Sequence, residues 1–124
     1  MRAQGSDRTL PAGPSYTIGR DPQSDIVMQL AGGLAIAFFF WRAGCHAADA
    51  GLIGAVNDAG LAVLVFGLTC AAAVGWEFAE FVSDRFFGTS AQLGLSDTLG
   101  DMLCGIVGGI AWLALILLGK GRRA

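Results

Sequence analysis

The chain has 124 residues, enough for one domain, with 54% hydrophobic and 15% charged residues and a mean hydropathy of +0.59. Charge is absent from residues 26–41, 59–76 and 102–119, and as helices these runs reach about 24–27 Å, near the ~30 Å hydrocarbon core of a bilayer. This excludes a soluble core, a disordered chain and a disulfide scaffold; a net charge of −2 and a pI near 5.1 leave no basic footprint for nucleic acid.

Residues 1–25 hold all three prolines (Pro11, Pro14, Pro22) among Gly, Ser and Thr, without a sustained apolar period. Too little surface can be buried there to offset chain entropy, so a flexible polar tail is expected. Residues 26–124 then form a single polytopic membrane domain. Its first span is about 26–42, with Arg42 placed to snorkel. The long polar lead-in and the arginine directly after the aromatic end favour a retained span over a cleaved signal peptide.

Residues 43–58 are rich in Ala and Gly and only weakly apolar, and carry His46 and Asp49 one helical turn apart. A full span would put an Asp in lipid at a cost of roughly 2.5–3.5 kcal/mol. A connecting or interfacial helix is the preferred reading, with a fourth, short or re-entrant helix left open. The His46–Asp49 pair reads as a surface hydrogen bond. The second span, about 59–87, includes an interfacial extension beyond Trp76 and ends at Gly88, a residue suited to a helix C-cap.

A loop over 88–96 follows, with Ser96 or Asp97 placed to cap a third span at about 98–119. The fold class is thus an all-α integral membrane protein with three transmembrane helices, the last two forming an antiparallel hairpin. Basic residues divide four against four (Arg2, Arg8, Arg20 and Arg85; Arg42, Lys120, Arg122 and Arg123), so they assign no orientation. Cys45, Cys70 and Cys104 are odd in number and far apart, and read as small buried hydrophobes rather than a metal or redox site.

The chemistry gathers around the hairpin. Glu77, Glu80 and Asp84 follow a +3, +4 spacing on the second helix; Asp97 and Asp101 are four apart on the third. Such spacings put side chains on one helical face. Two stripes meeting at one membrane edge bring five carboxylates together, with Arg85 the one nearby base. Either some of them hold protons or a cation binds. All-oxygen ligands, with Gln92 as a carbonyl donor, suit a divalent cation (Mg, Ca or Mn), for which Glu77, Glu80, Asp97 and Asp101 are the metal ligands expected. The opposing reading is plain hydration of acids near the headgroups. Gly105 and Gly109 form a G-x-x-x-G that lets helices approach closely, within the hairpin or in a homo-oligomer or helix partner.

From Trp76 and Glu77 through Glu80, Asp84, Gly88, Thr89, Gln92 and Asp97-Thr98 to Asp101, the pattern resembles the YjdF-like family of bacterial inner-membrane proteins. More loosely it is similar to VanZ-like proteins, linked to glycopeptide resistance. The resemblance implies a multi-pass location in the bacterial inner membrane, and marks Glu77, Glu80, Asp84, Gln92, Asp97 and Asp101 as site positions. It implies no reaction. YjdF-like proteins are longer and have more spans, so the resemblance further implies a shortened version, for which oligomerisation is more expected than a complete site in one monomer. Three functions follow: a cation or proton site in transport or sensing, an envelope factor acting on lipid-linked substrates, and a non-catalytic membrane subunit. The chain has no G-x-S-x-G, no H-E-x-x-H and no Cys/His nucleophile pair, which argues against hydrolysis by those routes.

Overall fold

The computed structural model describes residues 22–121, which fold into three helices: α1 (Pro22–Asp49), α2 (Asp58–Phe87) and α3 (Leu95–Gly121). The expected polar tail lies outside the described residues up to position 21, as do Arg122 and Arg123. Each helix is long and apolar enough to cross a membrane. At 1.5 Å per residue they measure about 40–45 Å, so each overshoots the hydrocarbon core into the headgroups.

α1 is longer than its apolar run at both ends. Pro22 occupies the first helical position, where its missing N–H costs nothing. At the other end, residues 43–49 continue α1 instead of forming a separate element. Alanines at 43, 47 and 48 sustain the helix where apolarity fades. Gly51, at φ 69°, stops it. Its amide bonds to the Ala48 carbonyl at 3.1 Å, and the Leu52 amide bonds back to Ala47 at 2.9 Å. This is a Schellman-type end. Neither the connecting helix nor the fourth, short or re-entrant helix forms over 43–58: residues 50–57 are loop. His46 and Asp49 are both exposed near the end of α1.

Asn57 caps α2 by accepting from the Gly60 amide at 2.8 Å, and Gly88, at φ 67°, closes it in the left-handed region. α3 begins earlier than Ser96 or Asp97 would have it. Gly94 takes φ 140°, which frees the chain to turn into Leu95, and its carbonyl receives the Thr98 amide at 3.1 Å. Asp97 reaches back instead, accepting from the Leu93 amide at 3.3 Å.

α2 runs antiparallel to both α1 and α3, and α1 packs more extensively on α3 than either does on α2. The reason is glycine. A Cβ at Gly33 would overlap the Gly105 carbonyl, and one at Gly108 would overlap the Leu30 carbonyl. Backbone meets backbone there, as small-residue stripes permit in lipid. Gly109 faces α2, where its Cβ would lie 2.7 Å from Thr69 Cγ2. Within the chain, the G-x-x-x-G thus touches both neighbours, Gly105 through its carbonyl at Gly33 of α1 and Gly109 toward Thr69 of α2, and both glycines are buried. Outward, Phe39, Val63, Leu103 and Leu115 are largely exposed, as lipid-facing side chains are.

The buried cluster sits toward one end of the bundle: Ala37, Trp41, Leu61, Ala62, Val65 and Leu113. Lys120 closes that end with an ion pair to Asp58 at 2.7 Å, its ammonium 5.1 Å from the Trp41 ring centroid. The acids of the predicted site, Glu77, Glu80, Asp84, Asp97 and Asp101, lie at the opposite end, formed by the start of α1, the end of α2 and the start of α3.

Candidate functional site

On α2, Val65, Thr69, Ala73 and Glu77 recur every four residues, the face this helix turns inward. Val65 and Thr69 are buried, and Thr69 spends its hydroxyl on the Val65 carbonyl at 2.8 Å. Glu77 continues that face and is only 6% exposed. On α3, Thr98, Asp101, Gly105 and Gly108 form the facing stripe. Thr98 and Asp101 thus come to Glu77 from across the interface, while Glu80 adds a like charge from the next turn of α2.

Glu77 is only partly satisfied. The side chains of Thr98 and Gln92 line one cleft together with it. Its Oε2 is buried without a hydrogen-bond partner in the structure. Leaving such an atom unpaired is costly, most of all on an ionised group. Gln92 Nε2 also donates to the Glu77 main-chain carbonyl at 3.3 Å, tying the loop to α2. Gln92 was expected as a carbonyl donor to a cation; what the structure gives it is this tether.

The other acids are engaged separately. Asp84 accepts the amides of Ala91 at 2.7 Å and Gln92 at 2.9 Å, and the hydroxyl of Thr89. It organises the loop over 88–94. Ser83 and Thr89 share a further hydrogen bond at 2.9 Å. Asp97 serves the Leu93 amide, and Glu80 Oε1 accepts from Trp76 Nε1 at 2.8 Å. The six site residues therefore do not converge on one point. Glu77 and Asp101 face each other with Glu80 beside them; Asp84 and Asp97 belong to the turn. Among the described residues, no three His, Cys, Asp or Glu side chains are grouped as a metal ion would require. The three cysteines are free.

Glu77 lines two clefts. The larger, about 430 Å³, lies between α1, α2 and α3; its walls include Gln29, Gly33, Ala73, Trp76, Glu77 and Asp101. The second, about 330 Å³, holds Gln92, Thr98 and Met102 with Glu77 and two phenylalanines of α2, Phe78 and Phe81. Thr98, Trp76 and Gln29 were not foreseen as part of the site. Thr98 was findable, lying three residues before Asp101 on the same stripe. Gln29 was not, because nothing in the hairpin reveals that α1 closes over it.

A model of the family described as "Predicted membrane protein (DUF2238)" matches residues 44–122, well over half of the chain. The chain belongs to that family. The matched stretch takes in the last turns of α1, all of α2, the loop and α3, and so every acid of the site. The first wall of the larger cleft, on α1, lies before it. No curated protein and no solved structure matches the chain. The comparisons give no support to the VanZ-like similarity.

Proposed function

We propose that the acidic end of this membrane protein is a proton-exchange site, in which Glu77 takes up a proton and passes it to and from Asp101. One observation carries the reading: a carboxyl buried at a helix interface, with one oxygen lacking a partner and two further acids nearby. A proton on Glu77 removes the buried charge and turns an orphan acceptor into a donor. Ionisable groups inside membrane helices that face a cavity mark ion and proton paths by default. A proton suits this geometry better than the divalent cation, since the acids are too scattered to supply several oxygen ligands at once.

Infrared difference spectroscopy of the protein in nanodiscs tests this. A carbonyl band of protonated carboxylic acid is expected in the wild type. It should be lost in Glu77→Gln and displaced in frequency in Asp101→Asn. A spectrum of Glu77→Gln identical to wild type overturns the assignment.

A further inference from the structure

The larger cleft has a chemistry that a proton does not use up. Its walls are chiefly apolar, and Glu77 and Asp101 are the acids in it. No Lys, Arg or His is among its described lining residues. Its volume, about 430 Å³, falls within the range of small-molecule sites. Trp76 stands at the rim, 59% exposed, with its N–H already engaged by Glu80, so its ring face is what it offers a ligand. An apolar slot ending in carboxyls, beside an indole face, is the complement of an amphiphilic cation.

The buried acceptor narrows the class. Glu77 Oε2 is buried without a hydrogen-bond donor, and Glu77 is part of the wall of this cleft. A quaternary ammonium has no N–H to give; a primary ammonium has three. We propose that the cleft binds a primary ammonium carried on an apolar chain, entering from the bilayer with its charge at the headgroup level, and that it exchanges there against the Glu77 proton. This rests on the proton-exchange reading of Glu77 and adds the ligand class. The chemistry is shared by free alkylamines and by the ethanolamine headgroup of lipids.

The test is saturable binding of radiolabelled octylammonium to the whole chain in phosphatidylcholine nanodiscs, with empty discs subtracted. Unlabelled octylammonium should compete, while octyltrimethylammonium and octanol should compete at least tenfold less well. Glu77→Gln should weaken binding at least tenfold. Gly32→Leu blocks the cleft without touching the acids. Gly32 lines the cleft, and a Cβ there meets nothing within 4 Å, so the bundle tolerates the change while the longer side chain occupies the space. It too should weaken binding at least tenfold, with helicity by circular dichroism unchanged. Exchanging part of the phosphatidylcholine for phosphatidylethanolamine separates the two sources: lowered octylammonium binding makes the lipid a natural occupant, and unchanged binding assigns the site to free amines. Equal competition by octanol, or wild-type binding by both variants, overturns the proposal. The infrared band of Glu77 is read without amine, so its presence alongside absent binding would sink the ligand and leave the proton site standing.

Discussion

The two ends of this bundle solve the same packing problem with different materials. Toward the Asp58 end, Trp41, Leu61, Val65 and Leu113 interlock around Ala37. Phe38 and Trp112 meet edge to face at 5.2 Å and 88°, and an ion pair closes the rim. Toward the Glu77 end, the helices leave two clefts that share Glu77, the larger with glycines, alanines and Asp101 in its walls and the second with Phe78, Phe81 and Met102. Among the described residues, each end keeps one buried side-chain atom unsatisfied: Trp112 Nε1 at the first, Glu77 Oε2 at the second. They are not equivalent. An unpaired neutral N–H costs on the order of 1–3 kcal/mol, whereas an unpaired carboxylate costs more, and a proton or a cation relieves it by removing or balancing the charge. Packing is concentrated at one end and chemistry at the other.

What joins the two ends is the glycine contact between α1 and α3, and breaking it should have the largest effect. Gly33→Leu drives a side chain into the Gly105 carbonyl, forcing the helices apart. The expected loss exceeds the roughly 1–3 kcal/mol typical of overpacking, because backbone rather than a pliant side chain must give. Gly32→Ala is the control one residue away, where a Cβ meets nothing. Thermal denaturation in detergent should show Gly33→Leu largely unfolded and Gly32→Ala within about 0.5 kcal/mol of wild type. Equal behaviour of the two would refute the α1–α3 contact.

Next in size is Asp84→Ala, which sharpens the division within the acidic end between turn and cleft. It removes the acceptor for the Ala91 and Gln92 amides, both part-buried. A loss of about 2 kcal/mol is expected, with protease nicking confined to residues 88–94. Stability unchanged by this substitution would show that Asp84 does not hold the loop.

At the apolar end, Val65→Ala removes the largest fully buried side chain of the chain's described core. Lipid is as apolar as the side chain it replaces, so what is lost is close packing rather than transfer from water. The expected cost is roughly 1 kcal/mol in detergent denaturation, below the 2–5 kcal/mol of a Leu→Ala in a soluble core. A cost in that upper range would show that close packing around Val65 holds the bundle more strongly than the loss of two methyl groups accounts for.

The fold was largely legible because its signals are local. Uncharged runs mark the three spans, Gly88 ends α2 where expected, and a short loop makes the last two helices neighbours. The ends of α1 were not, since Ala-rich residues 43–49 extend a helix by propensity where hydropathy falls away. Nor was the dominant pairing. A stripe such as Gly105, Gly108 and Gly109 says that something approaches closely and never says what; Gly33 in α1 and Thr69 in α2 are both suitable. That ambiguity carries over to the acids. Spacing alone put Glu77, Glu80 and Asp84 on one stripe, and at 3.6 residues per turn Glu77 and Asp84 do share a side of α2, but Asp84 lies about 10 Å further along the axis, level with the loop. Glu77 falls on the Val65–Thr69 face and is buried, and Asp84 falls where the loop amides reach it. Extending the small-residue face of α2 by one more step of four would have singled out Glu77.

The smallest effect belongs to the most conspicuous electrostatic contact. Lys120 and Asp58 are each about half exposed, and such pairs contribute on the order of 0–1 kcal/mol once solvent screening and side-chain ordering are counted. The Trp41 ring beneath the ammonium adds an amount of similar order. Lys120→Gln removes the charge that sits over the indole and pairs with Asp58, so a loss of about 0.5 kcal/mol is expected, shrinking further as salt is raised. A loss several times larger, insensitive to salt, would mean that this end is held by its charges as much as by its packed side chains. The contrast between a packed end and a chemical end would then fail at the apolar end, where Leu61, Val65 and Leu113 are taken to be sufficient without them.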